Sequence, residues 1–516
     1  MSRLRIADPG KLASPRAGLV AGAISGAALF LAFPPADLWI LAPVALVPLA
    51  MHFAVARGRA VAASAAAFGL VFNGLLLYWI RLFGWAPYIG LTIVQTLWVI
   101  GALLLGVVLR DRMPERLRLL AFPLVFVLQE YLRSRMPWGG FSWGGLGYSQ
   151  HENLIALKLA AYTGVWGLSL LVALANSVLA EALLSWRKPE VRRWALAWVS
   201  VLAALSLLPA ALPVDSPDGE TARLAMVQGN VPEDTLDPNS DDEIVVQNHV
   251  ELTEDLAGDE IDLVIWPEGA FDQDPLRRPD FHDALVGSVT DLRTHFMVGA
   301  ILGSQSSGVS NSSLFLDPRG RVVDTYTKQR LVPFGERVPL RSFLQPMFSQ
   351  LERIPVDLTA GDGATVFELP EGKFASVICY ESTYPDLVRE FVRNGARMLV
   401  VSANFSSFDH SAASAQHIAF SQLRAAEQRM WVAHTSVSGI SAVVDPEGRV
   451  LERTELFEPA VLTPTVRFAT STTPYARLGD WVAYGTILAI AGFLVAGQVR
   501  RRTAPASRKA PQAAEV

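Results

Sequence analysis

The chain has 516 residues, of which 51% are apolar and 18% are charged, and its mean hydropathy is +0.30. Soluble proteins carry about 25% charged residues, so this composition argues against a wholly soluble chain. A formal charge of −5 and a pI near 6.0 give no reason to expect a nucleic-acid partner. The single cysteine, Cys379, excludes an intramolecular disulfide, and a lone thiol in an exported domain is a candidate reactive group.

Apolar blocks fill the first 212 residues and return once near the end of the chain. Most of them approach the ~20 residues that a helix needs to span a bilayer. We therefore predict eight spanning helices, at about 17–33, 36–55, 61–80, 88–109, 117–132, 157–185, 192–212 and 481–499. The fifth block is the shortest, and Glu130 and Arg133 interrupt its end.

Basic residues fall in every second loop between these blocks, and cytoplasmic loops carry an excess of them. They are Arg3, Arg5, Lys11, Arg16, Arg57, Arg59, Arg110, Arg112, Arg116, Arg118, Arg187, Lys188, Arg192, Arg193, Arg500, Arg501, Arg502 and Lys509. We predict that both termini are cytoplasmic and that residues 213–480 lie outside the inner face of the membrane. The first block lacks a small-residue cleavage site, so we expect no removable signal peptide.

Few polar residues interrupt the apolar blocks, and such residues most often tie helices together. They are Asn73, Gln95, Gln129, Glu130 and Asn176. The loop 138–148 is rich in glycine and aromatic residues, and its tryptophans suit an interfacial depth. It fits either a plain re-entrant loop or the lining of a lipid access route.

Residues 213–480 begin with a polar linker, at 212–220, and the sequence pattern changes beyond it. Short β-rich runs alternate with amphipathic helices, which predicts a layered α/β domain. We expect strands at 223–228, 263–266, 296–302, 313–316, 322–327, 374–379, 398–402, 431–435 and 441–444, and helices near 241–256, 281–293, 384–394 and 412–429. The predicted domains are therefore a seven-helix bundle at 1–212, this domain at 213–480, an eighth span at 481–499 and a disordered tail at 500–516.

Two hairpins and one long loop are indicated within this domain. The turns Asp317-Pro-Arg-Gly320 and Asp445-Pro-Glu-Gly448 carry proline and glycine at type I turn positions, so both predict hairpins. Residues 334–363 carry few strand signals, and loops of this length are usually lids or disordered. Because this loop is partly apolar, we expect a lid near lipid.

Three short patterns place chemically useful groups at the ends of predicted strands. Glu268 follows Trp266-Pro267, where proline is expected to stop the strand, Lys328 ends a hairpin strand, and Cys379 ends a third strand. Taken alone, each of these groups is best explained as a surface charge or a small buried side chain. Together, a thiol, a base and a fixed cation are what covalent acyl transfer needs.

The segment after Cys379 turns at once into a helical pattern. We predict Ser382 or Thr383 as the N-cap and Pro385 in the first turn. A thiol at this junction is expected to be exposed at a sheet edge, near the positive end of the helix dipole. That placement favours the thiolate form.

The order Trp266-Pro267-Glu268, then Lys328 with Pro333-Phe334-Gly335-Glu336, then Cys379-Tyr380-Glu381 resembles the Glu-Lys-Cys triad of the nitrilase superfamily. Eight spans around such a domain resemble its membrane-embedded branch, the apolipoprotein N-acyltransferase family. The resemblance implies an αββα sandwich on the periplasmic side of a bacterial inner membrane. It also implies transfer of an acyl chain from a phospholipid, typically phosphatidylethanolamine, to the α-amine of a lipoprotein's N-terminal diacylglyceryl-cysteine.

The resemblance also assigns roles to residues. It implies that Glu268 is the general base, Lys328 the oxyanion stabiliser and Cys379 the nucleophile. Supporting roles fall to Glu336, Tyr380 and Glu381, and substrate contacts to Asn404, Phe408 and Phe334, although the loop after Asn404 departs from the family's usual Trp-Phe-Gly. The opening motif Gln228-Gly-Asn230 matches as well, without the tryptophan that often follows it.

Two other functions are weighed against the same sequence. A membrane-anchored amidase would use the same triad and release a free acid, but eight spans exceed what an anchor requires. A membrane scaffold with a decayed hydrolase domain is the second, and the intact triad argues against it. We expect no cofactor and no metal, because His410, His417 and His434 lack a ligand spacing with a carboxylate or cysteine.

Overall fold

The computed structural model describes residues 9–185, 189–211, 217–231, 238–304, 308–347, 351 and 354–503. Several sequence predictions lie outside the described residues: the basic residues before position 9, Arg187 and Lys188, the start of the linker at 212–216, residues 348–350 and 352–353 of the long loop, and the tail from 504. The described chain forms a helical region, a two-sheet domain and a C-terminal helix.

The helical region comprises nine helices of very different length among the described residues. They are α1 (Pro9–Leu12), α2 (Pro15–Phe30), α3 (Ala42–Ala45), α4 (Val47–Val55), α5 (Arg59–Leu76), α6 (Trp85–Arg110), α7 (Ala121–Arg133), α8 (Leu154–Ser185) and α9 (Pro189–Ala211). Gly164 breaks α8 near its start, with a φ of 63°. The added Cβ of any other residue there would lie 2.4 Å from the ring of Tyr475, so the break lets the two segments meet.

Four described helices are long and apolar enough to cross a membrane. They are Arg59–Leu76, Trp85–Arg110, Leu154–Leu184 and Trp481–Arg500. Shorter apolar helices lie at Pro15–Phe30, Trp39–Val55 and Leu196–Leu208. The prediction of eight spans is therefore confirmed for four of them by length and composition. The fifth predicted block contains the 13-residue helix α7, because the charged stretch before it forms a separate 3-10 turn at Glu115–Leu120.

Small residues let α2 and α5 pack backbone against backbone. A Cβ added at Gly22 would lie 2.2 Å from the carbonyl oxygen of Ser64, and one added at Gly26 would lie 2.9 Å from that of Phe68. Glycine spacing of this kind is what close helix packing in a membrane requires. Any larger residue at these two positions would push the helices apart.

The prediction that polar residues of the apolar blocks tie helices together is confirmed for only some of them. Asn176 accepts from the backbone N–H of Leu46 at 2.7 Å and donates to the carbonyl of Ala42 at 2.8 Å, so it joins α8 to α3 and α4. Asn73 donates to Gly69 within its own helix. The buried Oε1 of Gln129 has no hydrogen-bond partner among the described residues.

The second region is a sandwich of two mixed sheets. Its strands are β1 (Thr221–Gln228), β2 (Leu263–Phe271), β3 (His295–Ser304), β4 (Gly308–Leu316), β5 (Val322–Thr327), β6 (Phe367–Leu369), β7 (Gly372–Ile378), β8 (Leu399–Ala403), β9 (Val432–Ser436), β10 (Ala442–Val444), β11 (Val450–Arg453), β12 (Ala460–Leu462) and β13 (Thr465–Arg467). One sheet has the order β12-β1-β2-β3-β4-β5, with β13 also paired to β1, and the other has the order β11-β10-β9-β8-β7-β6. In each sheet the central neighbours are parallel: β1, β2 and β3 in one, and β7, β8 and β9 in the other.

The remaining helices are α10 (Pro238–Glu254), α11 (Pro279–Leu292), α12 (Arg341–Leu344), α13 (Pro385–Arg393), α14 (Ala413–Gln428), α15 (Pro474–Leu478) and α16 (Trp481–Thr503). Of these, α10 and α11 cover the outer face of one sheet and α13 and α14 that of the other, whereas α15 and α16 pack against helices of the helical region. Side chains of a strand alternate between its two faces. In β2, Val264 and Trp266 face the core under α10 and α11, whereas Leu263 and Ile265 face the second sheet. The predicted αββα arrangement is confirmed.

The nine predicted strands and four predicted helices of this domain are all present; β5 has the predicted ends, and the others are shifted at one or both ends. Both hairpins are confirmed, since Gly320 donates to the carbonyl of Asp317 and Gly448 to that of Asp445, each at 2.9 Å. The prediction that Pro267 stops its strand was wrong. Strand β2 continues to Phe271 after a register irregularity, so its pairing with β3 resumes beyond the proline.

Candidate active site

Two of the three predicted catalytic residues meet in direct contact, where β5 ends beside the register irregularity of β2. The Nζ atom of Lys328 lies 3.2 Å from Oε1 of Glu268, although 60 positions separate them along the chain. Cys379 follows β7 directly, and the charges of both Glu268 and Lys328 act on its thiol. The fold therefore gathers the carboxylate, the ammonium and the sulfur at one edge of the sandwich, as the sequence predicted.

Glu268 is held by one oxygen and open at the other. Its Oε1 accepts from Lys328 and, at 2.6 Å, from the side-chain amide of Asn311. Its buried Oε2 has no partner among the described residues. A carboxylate fixed by one oxygen, with the other left to accept a proton, is arranged as a general base.

Lys328 is almost completely buried, with 1% of its surface exposed. Burial alone would lower its pKa, but the negative charges of Glu268 and Glu336 outweigh burial, so the pKa of Lys328 stands well above its ordinary value. The ammonium therefore stays charged at neutral pH. Two of its three N–H donors meet Glu268 and Glu336, and the third has no hydrogen-bond partner among the described residues.

Glu336 connects this site to the long loop. Its Oε1 lies 2.5 Å from Nζ of Lys328, and its Oε2 accepts from the backbone N–H of Val332 at 2.8 Å. The loop returns to the site farther on, where Gly361 donates to the carbonyl of Lys328 at 2.9 Å. Both ends of the loop are thus fixed at the same lysine.

Cys379 sits on a strained turn. Its φ of +50° is in the left-handed region, which a residue with a side chain seldom adopts outside functional sites. Two predictions were wrong here: Cys379 does not belong to the preceding strand, and neither Ser382 nor Thr383 is the N-cap of the following helix. Strand β7 ends at Ile378, a 3-10 turn follows at Cys379–Thr383, and Tyr384 precedes α13 without a side-chain cap.

The prediction that the helix dipole favours the thiolate was also wrong. Cys379 is half-buried rather than exposed, and burial is the main reason that the pKa of its thiol lies above the ordinary value. The negative charge of Glu268 raises this pKa further, while Lys328 lowers it. Helix α13 begins at Pro385, six residues farther along the chain, so Cys379 does not lie at the helix N-terminus where the dipole was expected to act. The resting thiol is neutral and needs a base.

Glu381 and Tyr380 hold the turn from two sides. Fully buried Glu381 accepts from the hydroxyl of Tyr326 at 2.8 Å and from the backbone N–H groups of Gln329 at 2.7 Å and Ile378 at 2.8 Å. It therefore joins the end of the cysteine strand to the segment after Lys328. On the other side, Tyr380 donates to the carbonyl of Gly140 at 3.1 Å, in the loop 138–148.

Loop 138–148 is itself anchored by charged residues of α7. Arg133 donates to the carbonyl of Trp143 at 2.7 Å and to Oε1 of Gln95 at 3.0 Å. Glu130 accepts from the backbone N–H of Leu146 at 2.8 Å. The cysteine turn thus rests on a loop of the helical region, and the two regions form one site.

The three residues predicted to contact substrate lie in three different environments. Asn404 packs against Gly269, next to Glu268, since a Cβ at Gly269 would lie 2.2 Å from its Nδ2, and its backbone forms a hydrogen bond with Cys379. Phe408 joins an aromatic group with Trp79 and Phe83, at ring distances of 5.4 and 5.1 Å. Phe334 is 40% exposed, on the long loop, and its ring lies 5.7 Å from that of Trp138.

Sequence reasoning missed Asn311. This residue lies in β4, and its backbone carbonyl also accepts from the N–H of Lys328 at 2.9 Å. The expected strand began two residues later, at Ser313, so the asparagine fell in a presumed loop. A polar side chain at an inward-facing strand position was the signal that could have identified it.

Comparison with known proteins agrees with this architecture. Residues 25–178 match the apolipoprotein N-acyltransferase N-terminal domain family, and residues 223–473 match the carbon-nitrogen hydrolase family. The apolipoprotein N-acyltransferase of Geobacter metallireducens is 31% identical over 94% of this chain and 96% of that protein. That of Gloeobacter violaceus is 32% identical over 96% of this chain and 95% of that protein.

Among solved structures, an amidase from Nesterenkonia sp. AN1 aligns with 52% of this chain and 99% of its own, at 16% identity and a TM-score of 0.38. The sequence similarity to the Geobacter and Gloeobacter proteins extends over nearly the whole chain, so it covers the helical region and the sandwich together. The chain belongs to the apolipoprotein N-acyltransferase family.

Proposed function

We propose that this chain moves an acyl chain from a membrane phospholipid to the α-amine of a lipoprotein's N-terminal diacylglyceryl-cysteine, through a thioester on Cys379. The chain is an acyltransferase with a lipoprotein acceptor and a lipid donor, as its family membership indicates. Phosphatidylethanolamine is the proposed donor. The contact of Lys328 with Glu268, beside a neutral thiol, is the observation that carries the mechanism.

In the first half-reaction, Oε2 of Glu268 takes the proton of the Cys379 thiol, and the sulfur attacks the ester carbonyl of the phospholipid. The third N–H of Lys328 stabilises the oxyanion that forms. The ester C–O bond then breaks, Glu268 returns its proton to the leaving oxygen, and a lysophospholipid departs with a new hydroxyl group. The acyl chain remains on Cys379 as a thioester.

In the second half-reaction, the lipoprotein amine attacks that thioester. Glu268 takes a proton from the amine as the C–N bond forms, and the C–S bond breaks. The thiolate then regains a proton from Glu268, which restores the resting site. Since water would compete with the amine, the long loop that is fixed at Lys328 by Glu336 and Gly361 is proposed to keep water from the thioester.

The proposal includes an arrangement in the membrane. The helices of 1–212 and the helix at 481–499 form eight crossings, with both termini in the cytoplasm of a bacterial cell. The sandwich at 213–480 lies on the periplasmic side of the inner membrane, where it meets lipid donors laterally. Four helices of sufficient length and the alternation of basic loops support this arrangement.

Incubation with phospholipid vesicles and a diacylglyceryl lipopeptide tests this function. We expect an amide-linked acyl group on the lipopeptide and an equal amount of lysophospholipid. Cys379→Ala should abolish both products. Release of free fatty acid in place of acylated lipopeptide would show an amidase-like hydrolase instead, and transfer by Cys379→Ala would reject the thioester.

A further inference from the structure

Two consecutive residues of α14, Gln416 and His417, link the helical region to the cysteine turn. Both are buried, with 4% and 1% of their surfaces exposed. Neither contacts Glu268 or Lys328 through a hydrogen bond among the described residues. Their contacts point in two different directions, one toward the helical region and one toward Cys379.

Gln416 is fully satisfied by groups of the helical region. Its Oε1 accepts from the indole N–H groups of Trp143 at 2.7 Å and Trp79 at 3.2 Å. Its Nε2 donates to the carbonyls of Pro34 at 3.1 Å and Leu76 at 3.3 Å. An amide has two acceptor sites and two donors, so all four are used. The two indole donors also fix which end of the amide is oxygen.

His417 holds the backbone of the nucleophile. Its Nε2 lies 3.0 Å from the carbonyl oxygen of Cys379 and 2.9 Å from the hydroxyl of Ser382. A carbonyl oxygen only accepts, so Nε2 carries the hydrogen and donates to Cys379. Burial lowers the pKa of His417 to about 4, which keeps the ring neutral at neutral pH.

Trp143 contacts both residues of the pair. Its N–H bonds Gln416, and its ring stacks on that of His417 at 6.1 Å with an interplanar angle of 10°. A displacement of loop 138–148 would therefore move the imidazole that holds the Cys379 carbonyl. The strained φ of Cys379 needs such an external support, because an unsupported residue would relax out of the left-handed region.

We propose that His417 is a positioning residue for Cys379 and that Gln416 couples this support to the membrane-embedded loops. The pair holds the Cys379 turn, and with it the thiol on which the charges of Glu268 and Lys328 act, only while the helical region is correctly packed. The inference rests on the acyl-transfer function proposed above. It predicts that substitutions of this pair slow thioester formation. The phospholipid concentration that gives half the maximal rate of thioester formation should stay unchanged.

His417→Phe keeps the ring and removes the donor, and His417→Gln restores a donor near the position of Nε2. We expect single-turnover acylation of Cys379 to slow about 10²-fold in His417→Phe, with most of the rate recovered in His417→Gln. The matched control is His434→Phe: His434 is equally buried and lies 5.0 Å from His417, but its ring bonds Ser421 instead. Equal losses in both phenylalanine variants, or no loss in His417→Phe, would overturn the proposal.

Gln416→Met tests the coupling to the helical region. Gln422→Met is its control, because Gln422 lies on the same helix, is buried and donates to the carbonyl of His151, away from the cysteine turn. We expect both variants to lower thermal stability, and only Gln416→Met to slow acylation. Equal acylation rates in the two variants would overturn the coupling.

Alkylation of Cys379 gives a readout that needs no acyl donor. In the wild type, Lys328→Met should move the pH profile of alkylation upward, because it removes a charge that lowers the thiol pKa. In a His417→Phe background the same change should move the profile less, since the sulfur is no longer held beside the lysine. An undiminished shift would overturn the positioning role. Absence of an acyl adduct in the wild type would reject the proposed function instead.

Discussion

Lys328 is bound most closely by Glu336, a residue of the long loop: Nζ of Lys328 lies 2.5 Å from Oε1 of Glu336 and 3.2 Å from Oε1 of Glu268. The loop therefore contributes a charge to the centre of the site. When the loop is displaced, the lysine loses one of its two carboxylate partners. The position of the Lys328 ammonium and the position of the loop are coupled through this contact.

Glu336→Gln should slow acylation of Cys379 by about 10²-fold, because it removes a charge-assisted hydrogen bond that fixes Lys328 in a buried site. Single-turnover mass spectrometry measures this rate. Glu368→Gln is the control, since Glu368 is an exposed carboxylate whose ion pair is with Lys373. If the Glu336→Gln enzyme were acylated as fast as the wild type, the contact between the loop and Lys328 would not contribute to acylation of Cys379.

The pH dependence of Cys379 alkylation should report the charge of Glu268. Burial and Glu268 both raise the thiol pKa, so the wild-type rate should keep rising with pH above the ordinary range of a cysteine. Glu268→Gln removes one raising cause and should move the profile to lower pH, while acyl transfer is lost because the base is gone. A profile that moves upward would contradict the sign of this interaction.

Glu381→Gln should destabilise the domain by about 2–3 kcal/mol, because it weakens hydrogen bonds from several donors to a buried carboxylate. Thermal unfolding measures this loss. Tyr326→Phe removes one of the same hydrogen bonds and should cost less, which provides an internal comparison. Equal stability of Glu381→Gln and the wild type would show that these contacts are replaceable.

Exposed apolar residues of the long loop should affect the rate of acyl transfer only when the substrate is in a membrane. Leu340 and Phe343 are 62% and 65% exposed, which is unusual for residues of this type unless lipid or a partner covers them. Changing both to Ser should slow transfer from phospholipid vesicles and leave Cys379 alkylation in detergent unchanged. Equal loss in both assays would indicate damage to the fold.

Much of this architecture was predictable from the sequence because local signals agreed with one another. The turns at Asp317 and Asp445 indicated both hairpins, and the β-rich runs indicated nine of the strands. Strands β6, β11, β12 and β13 were missed, because runs of three or four residues carry too little periodicity. Eight spans were expected from apolar composition alone, yet helix length is decided by where the chain turns, and α7 extends for only 13 residues.

The proximity of the three predicted catalytic residues could be anticipated from the sequence, but their environment could not. Motif order singled out Glu268, Lys328 and Cys379, whereas the thiol pKa depends on burial and on a neighbouring carboxylate, which no local pattern reveals. Asn311 and His417 act through contacts between distant segments. Such contacts become visible only when the two sheets and the helical region are placed together.

The most direct test of the account is mass spectrometry of the purified protein after exposure to phosphatidylethanolamine. The account predicts one acyl adduct, located on Cys379, which disappears when a diacylglyceryl lipopeptide is added and reappears as an amide on that peptide. An adduct on another residue, or acylation of the lipopeptide by Cys379→Ala at the wild-type rate, would contradict it.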